Sequence, residues 1–336
     1  MRIYAVTEAM AQNATTACGV PGVTLKGAGT MRNIALVTAL LVGGCANIEG
    51  PGLWPAYQSK LAAAKYVDLT HAFAPGDPSW SGFGRLHVAP AVAAMNIPGL
   101  IEKGEAFTYA GQGAGITAYY FPTDQIGTQL DPPAHGNARG ATISDLPPTM
   151  AVRPLVVIDV SAKTRIDSGY VALVDDVAAW ERRYGRVPAG SVVMFRTDWS
   201  KHWGDPKRFT AQPFPGIALE TLKLLHLERH ILFHGHEPFD TDATPDLVAE
   251  RCLLAHDFAQ AEGVTNLDQV PEAGALVAIG FAKPEGGTGG LARFIAIAPA
   301  SWPYGTTIAQ SPGAPLPRQP APLERGADNV LRSGKR

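Results

Sequence analysis

Gln125-Ile126-Gly127-Thr128-Gln129-Leu130-Asp131-Pro132-Pro133-Ala134-His135 sets amide and carboxylate oxygens at alternate positions, then two prolines, then an imidazole. The run before it, Gly115 to Phe121, is β-branched and aromatic, so the motif sits where a strand opens into a rigid turn. If the extended conformation continues, period-two geometry puts Gln125, Gly127, Gln129 and Asp131 on one side. Three oxygen donors then share a wall. Pro132 and Pro133 fix φ and bar a helix, which holds His135 on a stiff corner beside that wall. The alternative is a surface proline turn whose Asp131 and His135 only bond backbone.

These residues resemble the motif His-x-Gly-Thr-His-x-Asp-x-Pro-x-His of the cyclase-like metal-dependent hydrolases, the family of bacterial kynurenine formamidase and isatin hydrolase. Gly127, Thr128, Asp131, Pro133 and His135 are in register, with Gln125 and Gln129 at positions where the family usually has metal-binding histidines. Other blocks follow in the family's order over most of residues 66 to 300. They are Asp68-Leu69-Thr70-His71 with Pro75 and Trp80, Phe195-Arg196-Thr197-Asp198-Trp199, Phe214-Pro215-Gly216, and Glu262-Gly263-Val264-Thr265-Asn266-Leu267-Asp268. In relatives a metal-binding His lies twelve positions before that Glu, and here the position holds Glu250. The resemblance implies an α/β fold of the swivelling β/β/α type, a mixed sheet core with flanking helices.

It also implies a divalent metal held by Gln125, Gln129, Asp131, Glu250 and Glu262. That set has no nitrogen, and carboxylate and carbonyl oxygens suit harder ions than imidazole does, so manganese is favoured over zinc. Without a cation the carboxylates would repel one another. The alternative is a site that has lost its metal, with the glutamines hydrogen-bonding a ligand directly.

Ile231-Leu232-Phe233 reads as a buried strand, and His234 and His236 share a face where it ends. His236 and Glu237 are expected to contact substrate, with Trp80 and Trp199 as aromatic walls. His236 is also a candidate for a nitrogen ligand, or for a residue that merely holds Glu237 in place. Further strands are expected at Leu155–Val160, Ser191–Arg196, Ala275–Ile279 and Phe294–Ala298. Helices are expected around Asp175–Tyr184, Ile217–Glu228 and Asp246–Leu254, with Asp175 and Asp246 as capping or first-turn acids.

At 336 residues, 46% hydrophobic and 17% charged, the chain has material for one sizeable catalytic domain. A net charge of −2 without a basic stripe leaves no electrostatic footprint for nucleic acid. Met31-Arg32, an apolar run from Ile34 to Val42, and Gly43-Gly44-Cys45 resemble a lipoprotein signal, with Cys45 lipid-modified and Met31 a candidate start. The run is too short to span a bilayer of about 30 Å. The expectation is an exported, periplasmic protein that meets the membrane only through a lipid anchor. Cys252 is then the one cysteine left besides Cys45, so no structural disulfide forms. The domains expected are 1–44 (upstream extension and signal), 45–65 (tether), 66–305 (hydrolase domain) and 306–336 (a Pro/Arg-rich, disordered tail).

The expected activity is metal-dependent hydrolysis of a small amide, N-formyl amide, cyclic imide or lactone by a metal-bound water, with His135 as acid and base. A homo-oligomer is implied by the resemblance. The competing reading is a lipid-tethered periplasmic protein that binds a small ligand and has lost catalysis.

Overall fold

Runs of valine, isoleucine and phenylalanine broken by polar turns build a largely β structure. The computed structural model describes residues 52–80, 82–92, 106–244, 246–308 and 315–333. The lipoprotein-type segment and Cys45 lie outside them. Among the described residues no helix is long and apolar enough to cross a membrane.

In chain order the strands are β1 (Lys65–Asp68), β2 (His87–Pro90), β3 (Thr117–Tyr120), β4 (Gln129–Asp131), β5 (Val152–Asp159), β6 (Val171–Ala172) and β7 (Val192–Arg196). They continue with β8 (Gly216–Ile217), β9 (Phe233–His236), β10 (Ala259–Glu262), β11 (Ala275–Phe281), β12 (Gly290–Ala298), β13 (Leu323–Arg325) and β14 (Leu331–Ser333). Eight of them form one mixed sheet in the order β1-β12-β11-β5-β7-β9-β10-β4. Strands β5, β7, β9 and β10 are mutually parallel, and the remaining pairings in this sheet are antiparallel. The short β4 also pairs with β12, Leu130 opposite Gly290 and Gln129 opposite Leu291, so the sheet closes into a barrel. Closure removes the free edge that β4 and β12 would otherwise present.

Alternation along the strands separates two cores. Leu155, Val157, Met194, Phe233, Ala261, Leu130, Val277 and Phe294 belong to a cluster drawn from every strand of the barrel, so they fill its interior. Val156, Ile158, Val193 and Phe195 point outward, against helices α1 (Val174–Tyr184) and α2 (Leu219–Lys223, helical on to Glu228), through Val177, Trp180, Leu222 and Leu225. Because both faces are covered, these strands are apolar throughout rather than alternating. A third helix, α3 (Val248–Ala255), lies beside α2 and carries Glu250.

The expected strands and helices occur with ends shifted by a few residues. Two differences have clear causes. The acid that caps α3 is Asp242, whose Oδ1 and Oδ2 accept from Ala249 N and Glu250 N, both at 2.9 Å, while Asp246 is exposed. The expected disordered tail contains the hairpin β13–β14. Arg325 reaches back from it to Ile116 O and Thr117 Oγ1, and Val330 packs on a small cluster of Leu86, Val88 and Ile126.

Candidate functional site

Pairing of β4 with β10 decides where the polar motif points. Leu130 and Ala261 face each other in the barrel interior, so Gln129, Asp131, Gln260 and Glu262 all project from the outer face. Extended backbone does not run unbroken from Gln125, because Gly127 turns the chain with φ 71°. A Cβ on Gly263 would stand 2.9 Å from Gly127 O, so the turn and the end of β10 touch backbone to backbone. The hydroxyl of Thr128 ties this crossing together, donating to Gly263 O (2.6 Å) and accepting from His71 N (2.9 Å). Contrary to expectation, Pro133 opens one tight helical turn, Pro133–His135, a position that suits a residue with fixed φ and no N–H. That turn delivers His135 to the same wall.

The result is a cavity of about 210 Å³ lined by Gln125, Gln129, His135, Glu250 and Glu262, with Trp80, Phe83 and Phe239 among its apolar walls. Three distant segments of chain therefore meet, as the motif spacing implied. Asp131 lies one step behind, 1% exposed, hydrogen-bonded to Gln129 and Gln260. Gln125 Nε2 is hydrogen-bonded to His135 Nδ1, and His135 Nε2 stands 3.8 Å from Glu250 Oε1.

Burial dominates the electrostatics. It pushes the carboxyls of Asp131 and Glu250 up to about 7, assisted by neighbouring acids and opposed by amide hydrogen bonds. Glu262 is raised well above the usual range by burial first, then by Asp131, Glu250 and Asp240. Asp240 rises to about 6 for the same principal reason. One oxygen of Glu250, Oε2, is buried without a hydrogen-bond partner among the described residues.

These observations bear on whether a cation fits. Among the described residues no three His, Cys, Asp or Glu side chains make a cation cage by themselves. Adding the amide oxygens of Gln125 and Gln129 gives an all-oxygen donor set. Buried, mutually repelling carboxylates and the orphaned Glu250 oxygen match a hard divalent ion in charge and chemistry. We treat the residues as fitting such an ion.

Several expected contacts are not made here. His236 is buried below the cavity, its Nδ1 donating to Pro238 O (3.0 Å) and its Nε2 beside Thr241 Oγ1 (2.8 Å). Glu237 is 1% exposed and accepts from Thr197 Oγ1 (2.7 Å), Thr197 N and Ser200 N, so it braces the end of β7 instead of meeting substrate. Trp199 packs with Phe209 and Phe214 and donates from Nε1 to Phe209 O (3.0 Å). None of the three lines the cavity, because strand alternation and the Thr197 contact turn them into the protein. Of the four expected substrate contacts, Trp80 alone is in place.

Sequence reading missed Asp240 and Phe239, which line the cavity, and Gln260, which is fully buried beneath it. Asp240 and Phe239 follow directly on the His234–Glu237 cluster. Gln260 stands two residues before Glu262, the same-face spacing of a strand, and that was its available signal. The Gly286–Gly290 stretch backs Gln125 from outside the cavity lining, held because Asp124 Oδ2 accepts from Thr288 N (2.8 Å) and Gly289 N (2.9 Å). A Cβ on Gly289 would lie 2.4 Å from Gln125 Cγ.

Comparison with known proteins agrees with this architecture. The family model described as "Putative cyclase" matches residues 67–243. An isatin hydrolase of Roseibium aggregatum is 31% identical over 192 residues, which is 52% of this chain and 72% of that protein. The structure of isatin hydrolase A from Ralstonia solanacearum superposes with a TM-score of 0.64 at 30% identity, covering 74% of this chain and 98% of that one. Isatin hydrolase A from Labrenzia aggregata bound to benzyl benzoate gives 0.62 at 26% identity, covering 73% and 97%. By its barrel, its ordered motif blocks and these matches, the chain belongs to the cyclase family.

Proposed function

We propose that this protein is a hydrolase of a small amide, N-formyl amide, cyclic imide or lactone, working with a divalent cation. The observation that carries the proposal is the convergence of Gln125, Gln129, His135, Glu250 and Glu262 on one aromatic-walled cavity. Relatives called isatin hydrolases, matched over 52% of this chain in sequence and 74% in structure, support the reaction class. Asp131, Glu250 and Glu262, with the amide oxygens of Gln125 and Gln129, would hold the ion, and oxygen donors favour manganese over zinc. When bound, such an ion supplies Lewis acidity toward a substrate carbonyl.

The chain's own groups do the rest. Trp80, Phe83 and Phe239 offer flat apolar surface to a small ring and keep bulk water from the reacting bond. Gln125 holds the ring of His135 through Nδ1, so that Nε2 is presented toward Glu250 and toward a substrate atom placed between them. His135 takes a proton from the attacking water at Nε2 and passes it to the departing nitrogen or oxygen, so the ring ends as it began.

Elemental analysis of the purified protein beside turnover of isatin, an N-formyl amide and a lactone tests this. Asp131→Ala should lose the ion, whereas His135→Ala should keep it and lose turnover. Full metal retention in the Asp131 variant, or undiminished turnover without His135, refutes the assignments.

A second reading, a small-ligand-binding protein without catalysis, is favoured by one observation: amide groups already satisfy the oxygens of Asp131 and Glu262. Tight ligand binding by metal-free protein with no turnover would establish it. We further propose periplasmic export with lipid attachment at Cys45 and homo-oligomeric assembly. Radiolabelled palmitate incorporation that survives Cys45→Ser refutes the anchor, and a monomeric mass in solution refutes the assembly.

A further inference from the structure

Four side chains on the outer face of β4 and β10 form a square. The antiparallel register sets Glu262 opposite Gln129 and Gln260 opposite Asp131, so acid and amide alternate around the corners. Every side of the square is a hydrogen bond. Gln129 Nε2 donates to Glu262 Oε2 (2.8 Å) and Asp131 Oδ1 (3.3 Å). Gln260 Nε2 donates to Glu262 Oε1 (2.8 Å) and Asp131 Oδ2 (3.4 Å). Two NH₂ groups thus give one N–H to each of four carboxylate oxygens, and all four residues are buried.

The orientation of Gln260 is not free. Its Oε1 stands 2.9 Å from the hydroxyl of Thr241, itself fully buried, and its NH₂ end faces the acids. Gln260 in this arrangement offers Asp131 and Glu262 donors and no acceptor. It does not line the cavity and is not one of the oxygens expected to hold an ion. A divalent cation drawing on Asp131 and Glu262 competes with these N–H groups for the same lone pairs. Buried acids whose oxygens already accept hydrogen bonds gain less from an ion than bare ones would.

We propose that Gln260, held by Thr241, sets the cation affinity of this site and allows the chain to fold and persist without metal. The affinity half of this inference rests on the reading that the site takes a divalent ion. The stability half does not. Chemically, the square is a reversible, neutral occupant of the charge that a cation would otherwise compensate, so the protein loads and unloads manganese instead of retaining it.

The test uses the full chain, stripped with EDTA and dialysed, with Mn²⁺ binding followed by calorimetry and unfolding by thermal melting. Wild type should melt at the same temperature with and without EDTA and bind Mn²⁺ weakly. Gln260→Leu should melt lower when stripped, recover on adding Mn²⁺, and bind the ion at least about tenfold more tightly. Thr241→Val, which leaves Gln260 in place but lets its amide turn, should tighten binding by a smaller factor and serves if Gln260→Leu does not fold. Wild type that unfolds on EDTA treatment overturns the stability half. Equal or weaker Mn²⁺ binding in both variants, with wild type binding the ion, overturns the affinity half and leaves the hydrolase reading standing. Mn²⁺ binding by none of the three proteins overturns the cation reading and the affinity half with it.

Discussion

Asp242→Ala offers a measurement of how the site is held. Asp242 caps α3 from outside the helix, accepting from the N–H groups of Ala249 and Glu250 with one oxygen each. Both residues are buried, at 1% and 5% exposure, so water cannot easily replace the carboxylate. Each buried N–H left without an acceptor costs roughly 1–3 kcal/mol, and some of that returns if a water enters the vacated space. Losing a side-chain cap costs roughly 0.5–2 kcal/mol in measured helices. The combined loss should be about 3 kcal/mol, which for a domain of this size lowers the melting temperature by about 6–12 °C. Asp242→Asn keeps one acceptor and should lose about half as much. Asp246→Ala is the control, because that acid is exposed and should change stability by less than about 0.5 kcal/mol. Urea titration of the three variants beside wild type reads the differences directly. An Asp246→Ala loss as large as that of Asp242→Ala would show that the cap has been misassigned, and with it the support beneath Glu250.

Gly289→Ala forces a methyl to 2.4 Å from Gln125 Cγ, so Gln125 must swing away from His135. Stability should fall by about 1–3 kcal/mol, and turnover of the proposed substrates should fall more than substrate binding does. Unchanged kinetics would dismiss the loop as a support of Gln125. The raised acids predict a pH dependence. Asp131 and Glu250 hold protons in the folded chain up to about pH 7, whereas unfolded they release them near about pH 4, so folding takes up protons in that window. Their stabilising contribution is complete below about pH 4 and lost as pH rises through about 7. Burial holds His71, His226, His234 and His236 neutral, and they oppose this trend below about pH 6.5, so metal-stripped protein should melt lower between about pH 6.5 and 8, with excess Mn²⁺ flattening the trend, and a rising melting temperature over that range would contradict the burial argument. Removing residues 323–336 deletes Arg325's bonds to β3 and uncovers the Leu86–Val88–Ile126 cluster. Limited proteolysis should then cut between β2 and β3 first, at a stability cost of about 1–3 kcal/mol. Resistance equal to the full chain would show that the hairpin contributes nothing.

Much of this architecture can be read from residues alone, and the remainder could not be for physical reasons. Strands β5, β7, β11 and β12 announce themselves because both faces are buried and the apolar runs are continuous. The convergence of Gln125, Gln129, His135, Glu250 and Glu262 is what the resemblance to the family's motif blocks implies. Strand β10 hides because Ala259-Gln260-Ala261-Glu262 is polar on one face and small on the other, yet all four residues are buried. A buried polar face reads as a surface one, which is why Gln260 escaped notice. His236 and Glu237 look like substrate contacts because they are adjacent to a strand end, but direction is decided by Thr241 and Thr197, which are remote from any local pattern. Asp242 acts on α3 across an intervening loop, beyond the reach of a rule that looks for the cap beside the first turn. The tail's composition is that of an unfolded segment, and a few residues, Arg325 and Val330 among them, are enough to dock it.

Closure of the barrel by β4 has a consequence for biosynthesis. This three-residue strand is sandwiched between partners that leave the ribosome much later, first at residue 260 and then at residue 290. At translation rates of about 5–20 residues per second, Gln129 and Asp131 wait roughly 10–30 s for the second neighbour. Until then the entropy of closing so long a loop opposes order at these positions. The reactive centre is thus among the last parts of the molecule to come into being, and a polypeptide interrupted anywhere before residue 290 lacks it entirely.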